Sequence, residues 1–322
     1  MEPPLPTPPG RPRRLAYLGS PAAAVPTLVA LARAGFDIPI VVTRPDRRRG
    51  RGSTTMPSPV KAAAVELGLT VTDDIDALLD VPVDLGVVVA YGKLIRPHLL
   101  ARVPFVNLHF SLLPRWRGAA PVERAVLAGD DRTGVCVMAV EEGLDTGGIY
   151  RSAEIPIDPD DTVEALRSRL VDLGTGLLLD CLHNGFGPCR PQTGEPVYAA
   201  KIDPAELALD WTRPAASVVR TVRLGRAWTT FRGRRLLIHD ATLAPNTTTD
   251  PTTVTATPTA GSSPDAPGHE PGRIGVEGGT VVVDCGAGRL VLRQVQPEGR
   301  GRQDAGAWRN GARPGPGEVL GR

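Results

Sequence analysis

Apolar and polar positions alternate most sharply at the start of the stretch from Phe105 to Pro121, FVNLHFSLLPRWRGAAP. Period-two spacing puts Val106, Leu108 and Phe110 on one face of a strand and Asn107 and His109 on the other. A strand buried among others carries apolar residues on both faces. Here one face carries an amide and an imidazole about 7 Å apart along the strand. The chain then enters a Pro-stopped turn, Ser111-Leu112-Leu113-Pro114, and the run Arg115-Trp116-Arg117-Gly118. Polar side chains at a strand end, just before a loop, mark the ligand edge of an open α/β sheet.

The pattern around this stretch alternates strand and helix. Residues 15–18 read as a first strand, turning at Gly19-Ser20-Pro21 into a helix through Val25, Leu28, Val29 and Ala32, with Ser20 as N-cap. Residues 38–43 read as a second strand. Ser58 and Pro59 read as the cap and first position of a second helix, which Gly68 ends. Residues 85–90, apolar and β-branched, predict a central parallel strand. Strands at 133–140 and 149–157 flank a Gly-rich loop, and 161–184 is the longest predicted helix, stopped by Gly185. This alternation predicts a doubly wound α/β sheet. After Lys201 a short helix is followed by brief strand-like runs, as in a small barrel or sandwich. The expected organisation is a disordered Pro-rich extension over 1–13, a first domain over 14–200 and a second over 201–322. Residues 245–271, rich in Thr and Pro, lack the apolar content to order and are expected to form a disordered loop.

The length of 322 residues allows about two domains, and 41% hydrophobic content supports real cores. The net charge of +2 hides a local excess. Arg44, Arg47, Arg48, Arg49 and Arg51 share one loop with two glycines, leaving the second strand at its carboxyl end. A second group, Arg220, Arg223, Arg226, Arg232, Arg234 and Arg235, follows later. A charge run is most often a solvated face, but two basic groups flanking one site suggest a nucleic-acid substrate. Cys136, Cys181, Cys189 and Cys285 form no C-x-x-C pair, so neither a metal site nor a disulfide framework is expected. No apolar run approaches the roughly 20 residues of a membrane span. The N-terminus lacks an apolar signal core, so the expectation is a cytoplasmic monomer with no membrane partner.

Asn107 and His109 share a strand face, and Asp145 sits among glycines that permit close approach to a ligand. A carboxylate would hold the imidazole in one orientation. The imidazole and the amide would then donate to an oxygen that gains negative charge. That trio suits acyl or formyl transfer through a tetrahedral intermediate. The chain has no G-x-S-x-G elbow and no Cys in a basic setting, so direct attack by a substrate amine is the simpler route. Gly19-Ser20-Pro21 is not a G-x-G-x-x-G and gives little support to a dinucleotide site.

Asn107-Leu108-His109, the run from Ser111 to Pro121 and Gly143-Leu144-Asp145-Thr146-Gly147 together resemble the folate-dependent formyltransferases. Arg44-Pro45-Asp46 through Gly50-Arg51-Gly52 to Lys61 is similar to a loop of those members that act on methionyl-tRNA. The resemblance implies a Rossmann-like N-terminal formyltransferase domain and a C-terminal OB-fold-like β-barrel domain that helps grip tRNA. It implies 10-formyltetrahydrofolate as formyl donor, initiator methionyl-tRNA as acceptor and no metal. It puts Asn107, His109 and Asp145 in the catalytic places and Ser111, Leu112, Leu113 and Pro114 against the folate. It sets Arg44, Arg47, Arg48, Arg49 and Arg51 in the loop that meets the tRNA acceptor stem. The alternative acceptor is a small amine, such as an amino-sugar nucleotide or a purine precursor. Phe110 departs from the family pattern, where many members have Gly after the His.

Overall fold

The structure, a computed structural model, describes residues 4–48, 55–245 and 270–322. The chain divides into two compact units, Met1–Asp158 with Ala165–Lys201, and Pro159–Glu164 with Ile202–Arg322. No helix among the described residues is long and apolar enough to cross a membrane.

The first unit is built on one seven-stranded sheet. Its strands are β1 (Arg14–Gly19), β2 (Asp37–Val42), β3 (Val71–Thr72), β4 (Leu85–Val89), β5 (Phe105–His109), β6 (Arg132–Ala139) and β7 (Ile149–Pro156). They lie in the order β7-β6-β5-β4-β1-β2-β3. β1 to β5 run parallel, whereas β6 pairs antiparallel with both β5 and β7. The sheet is therefore mixed rather than wholly parallel. β6 and β7 are joined by a loop with no crossover helix, and a connection of that kind yields an antiparallel pair. β4 is buried at every position and pairs with parallel strands on both sides, as its unbroken apolar run predicts. Gly86 within it leaves room for the Phe105 ring; a Cβ would lie 2.1 Å from that ring.

The helices are α1 (Val25–Arg33), α2 (Pro59–Glu66), α3 (Pro97–Leu100), α4 (Pro121–Ala128) and α5 (Val163–Asn184). Ser58 caps α2, its Oγ accepting from the Lys61 N–H at 3.0 Å with Pro59 in the first turn. Ser20, expected to cap the first helix, does not. The chain leaves β1 through a 3-10 turn over Ala22–Ala24 whose N-cap is Pro21. Buried Ser20 instead accepts from the Arg44 N–H at 3.2 Å and the Thr43 hydroxyl at 3.3 Å. Its oxygen satisfies a donor where the chain leaves β2, and that demand outcompetes the cap.

β1 lies between β2 and β4, so the winding reverses there. In an open α/β sheet that reversal leaves a crevice at the carboxyl ends of the two strands. Their amino ends are locked by Asp84, whose Oδ2 accepts from the N–H groups of Arg13 and Arg14 at 2.8 Å each. The preceding run, expected to be disordered, is described from residue 4 onward, with Pro12 buried.

The second unit is an antiparallel sheet of β8 (Trp228–Phe231), β9 (Arg234–Leu243), β10 (Ile274–Glu277), β11 (Thr280–Asp284) and β12 (Arg289–Pro297). Their order is β8-β9-β12-β11-β10, with the short β13 (Gln303–Asp304) beside β12. Register shifts near Asp240 curl the long β9–β12 pair. α6 (Ala215–Val222) and α7 (Ala305–Ala312) add Val218, Val222 and Trp308 to a core around Trp211, Ile238, Leu292 and Val295. The sheet curls without a β8–β10 pairing among the described residues, so it is a half-barrel rather than a closed one. Most of the loop expected over 245–271 lies outside the described residues.

The Asp84 lock gives a pH signature. The Arg14 and Arg13 N–H groups hold its carboxyl below the usual carboxylate range. A lowered folded pKa contributes stability above the unfolded pKa, and that contribution fades as pH falls through the folded value. Asp84 is exposed, so solvent screens part of this gain, and Asp84→Asn should lower the melting temperature at pH 7 by no more than about 2–4 °C, the shift that 1 kcal/mol produces in a unit of this size. The gap to wild type should close on acidification below the ordinary carboxylate range; a constant gap from pH 7 to pH 2 would contradict the assignment.

Candidate active site

The crevice at the carboxyl ends of β1, β4 and β5 opens into a cavity of about 510 Å³. Val88, Leu94, Ile95, Met138 and Val140 give it apolar walls, and Asn107, His109, Glu141 and Asp145 bring polar groups to it. Such a balance is typical of small-molecule sites. The register of β5 places Asn107 between Val88 and Met138, and His109 beside Cys136. Asn107 is half-buried, and its side-chain amide makes no hydrogen bond to the described residues of the protein.

His109 is held at one edge and faces a carboxylate at the other. Its Nε2 lies 2.8 Å from the Trp116 carbonyl oxygen. A carbonyl only accepts, so Nε2 carries the proton of that bond. Its Nδ1 lies 3.5 Å from Asp145 Oδ2, too far for a well-formed hydrogen bond. Asp145 Oδ2 in turn accepts from the Gly118 N–H at 2.8 Å. The structure thus brings Asn107, His109 and Asp145 to one cavity. It also corrects one expectation: the Trp116 carbonyl, not Asp145, makes the close bond that orients the imidazole.

That carbonyl is itself fixed. Trp116 has φ 65°, in the left-handed region. Asp130 accepts from Arg115 Nε at 2.9 Å, Arg115 Nη2 at 2.6 Å and Trp116 Nε1 at 2.7 Å. The Arg115 guanidinium lies 4.5 Å over the Trp116 ring. Ser111 Oγ donates to the Arg115 carbonyl at 2.6 Å. Ala90 at φ 48° and Asp145 at φ 52° also occupy the left-handed region, so three strained residues ring the site.

Ser111, Leu112, Leu113 and Pro114, expected against a folate, do not line this cavity. Ser111 is buried and closes the turn. Leu112 packs beside Gly134, and Leu113 packs with Cys136, Met138 and Ile149. The turn after β5 thus lays Leu112 and Leu113 against β6 and β7. This cavity is walled in part by Tyr91, Gly92, Lys93, Leu94 and Ile95, just past β4. The sequence pattern marks residues 85–90 as a strand and says nothing of the run after it.

Asp145 hangs on the loop between β6 and β7. Gly147 lets this loop return against β6, since a Cβ there would lie 2.0 Å from the Ala139 carbonyl oxygen. Gln192 holds the same loop through the carbonyls of Asp145 and Gly147. Asp130 and Gln192 carried no motif that could have marked them.

Arg44 is half-buried at the end of β2. Arg47 and Arg48 pair as a short strand with Met56 and Thr55, and Asp46 bonds Lys61 at the base of this loop. Arg49 and Arg51 lie outside the described residues. In the second basic group, Arg232 is engaged by Glu318 at 2.6 Å, and Arg223 Nε donates to the Asp161 carbonyl at 2.5 Å. That group is therefore not one free basic surface. Among the described residues no group of three or more His, Cys, Asp or Glu is placed to hold a metal ion.

Residues 13–182 match the family model described as formyl transferase, and residues 201–313 match formyl transferase, C-terminal domain. The methionyl-tRNA formyltransferase of Symbiobacterium thermophilum is 39% identical over 320 residues, covering 92% of each chain. That of Acidothermus cellulolyticus is 41% identical over 327 residues, covering 94% of this chain and 98% of the relative. Among solved structures, an N-formyltransferase from Helicobacter canadensis, in complex with folinic acid and dTDP-3-aminofucose, aligns with a TM-score of 0.62 at 14% identity. It covers 86% of this chain and 98% of that one. HypX from Aquifex aeolicus, in complex with tetrahydrofolic acid, aligns with a TM-score of 0.61 at 13% identity, covering 96% of this chain and 48% of that one. At these identities both structures speak for the fold alone.

The close approach at Gly147 is testable. Gly147→Ala should destabilise the first unit by about 1–3 kcal/mol, the range for overpacking a site that cannot yield. Chemical denaturation measures it; a change within ±0.5 kcal/mol would mean that the loop has slack.

Proposed function

The chain belongs to the formyl transferase family, and from that premise we propose that it moves the formyl group of 10-formyltetrahydrofolate onto the amino group of initiator methionyl-tRNA. The observation that carries this reading is the likeness, over nine-tenths of the chain and through both family parts, to relatives named for that reaction. A cavity with apolar walls and a few polar groups suits a flat reduced folate whose formyl group reaches Asn107 and His109. In this reading residues 14–200 perform the chemistry and residues 201–322 help hold the tRNA. Arg44, Arg47, Arg48, Arg49 and Arg51 meet the phosphates of the acceptor stem. The enzyme works as a monomer in the cytoplasm, where charged tRNA is found.

The reaction needs one bond made, one broken and one proton moved. The amine nitrogen attacks the formyl carbon, the formyl oxygen gains negative charge, and the bond from carbon to the folate nitrogen then breaks. An amine on an esterified amino acid titrates near or below about 7.7–8.0, so a strong base is not needed. Asn107, whose amide has no partner among the described residues, donates its N–H to the charging oxygen. His109 is held at Nε2 by the Trp116 carbonyl, which leaves Nδ1 beside Asp145. The His109–Asp145 pair takes the proton from the attacking amine and passes it to the leaving nitrogen.

Incubation with 10-formyltetrahydrofolate and charged initiator tRNA should yield formylmethionine; product only with a small amine acceptor would replace this reading with the alternative. Asn107→Ala should lower kcat about 10²–10³-fold, or 2.7–4 kcal/mol, the worth of one oxyanion donor, with little change in KM. Near-normal turnover in that variant would remove Asn107 from the chemistry. Arg49→Ala with Arg51→Ala should weaken tRNA binding and flatten its salt dependence by about 0.7–0.9 log units per lost phosphate contact. An unchanged slope would make the Arg loop an ordinary solvated surface.

A further inference from the structure

Gln192 does not line the 510 Å³ cavity, yet its side-chain amide is tied to two of the segments that build the site. Its Nε2 donates to the carbonyls of Asp145 and Gly147, at 2.8 Å each. Its Oε1 accepts from Arg117 Nε at 3.0 Å and Arg117 Nη2 at 2.7 Å. Both N–H donors and both lone pairs are used. The amide can point only one way. Reversed, it would set an NH₂ against a guanidinium and an oxygen against two carbonyls.

The backbone around Gln192 is anchored on both sides. Arg190 and Ile149 exchange two hydrogen bonds, at 2.7 and 2.9 Å. Further on, Val197 accepts from the Arg117 N–H and Ala199 from the Ala119 N–H, at 2.9 Å each. The amide therefore projects from a fixed frame. A left-handed Asp is disfavoured and persists where its surroundings over-determine it. For Asp145 those surroundings are Gln192 on its carbonyl and the Gly118 N–H on its carboxylate. Arg117, bonded to the same Gln192, immediately precedes Gly118. One amide thus couples the loop that carries Asp145 to the turn that receives its carboxylate.

We propose that Gln192 is a positioning residue for formyl transfer: it holds the Asp145 carboxylate at its working distance from His109 by clamping the 145–147 loop to Arg117. This rests on the formyl-transfer reading of the site. Two variants separate positioning from charge. Gln192→Glu keeps an acceptor for Arg117 but turns an oxygen toward the two carbonyls. Gln192→Met removes both halves of the clamp and adds no charge.

Both variants should lower kcat about 10–100-fold, the cost of a misplacement near 1 Å, while KM for each substrate stays within about twofold. In an Asp145→Asn background neither should cause a further loss, because Gln192 acts through that carboxylate. Amide hydrogen exchange over 143–148 should quicken in both variants, with β1 and β4 unchanged. Equal losses with and without Asp145, a loss in Gln192→Glu alone, or unchanged exchange in the loop would each overturn the proposal. A wild-type chain that does not formylate methionyl-tRNA would sink the functional reading instead, and the exchange measurement would still decide whether Gln192 clamps the loop.

Discussion

The bond from His109 Nε2 to the Trp116 carbonyl is the constraint on which the site is built. An imidazole can flip about its Cβ–Cγ bond, and a flipped ring would put carbon where this bond needs nitrogen. The 2.8 Å contact selects one orientation and one proton position, and so determines which nitrogen faces Asp145. The bond is only as firm as the carbonyl. That atom belongs to a left-handed residue whose indole and whose neighbour's guanidinium both end on Asp130. The run Arg115-Trp116-Arg117-Gly118 therefore serves geometry. Arg115 and Trp116 pin a carbonyl, Arg117 ends on Gln192, and Gly118 gives its N–H to Asp145.

The sheet decides where this machinery can stand. Winding reverses between β1 and β4, which opens a crevice at their carboxyl ends, and β5 delivers Asn107 and His109 beside it. β6 runs antiparallel to β5, with Met138 opposite Asn107, so the loop that carries Asp145 starts beside the amino end of β5, where the Val140 N–H donates to the Phe105 carbonyl. It reaches His109 because the loop is held in its return, Gly147 close against Ala139 and Gln192 on the carbonyls of Asp145 and Gly147.

What could be read from the sequence was local. The period-two pattern at 105–109, the unbroken apolar run of β4 and the Ser58-Pro59 cap each depend on residues within a turn or two of one another. The convergence of Asn107, His109 and Asp145 was legible because chemistry narrows what an amide, an imidazole and a carboxylate can do together. The rest was not. The Trp116 carbonyl is a backbone atom and has no letter of its own. Asp130 and Gln192 act across gaps of 14 and 75 residues. A motif also says which residues travel together, not which of them face a cavity, and Ser111 to Pro114 do not line the 510 Å³ one. Ser20 was misread because a local cap competes with a strand end 24 residues away.

The three polar residues differ in how much bonding capacity the protein has already used. His109 and Asp145 are held by a carbonyl and an N–H, and the strain of Trp116 and Asp145 is spent in keeping them there. Asn107 is left open at the cavity face. This division suits a reaction whose charge appears on one oxygen and whose proton moves between two nitrogens. A proton relay needs fixed distances, since its partners are in the protein and would otherwise have to reorganise during the reaction. An oxyanion donor needs an unfilled bond, since its partner arrives with the substrate. A protein group bonded to the Asn107 amide would have to be displaced at every turnover, and the gain in the transition state would shrink by that exchange. In the proposed mechanism that amide, which has no partner among the described residues, is the part of the site that the substrate completes, and the clamps around it keep it in register with the relay.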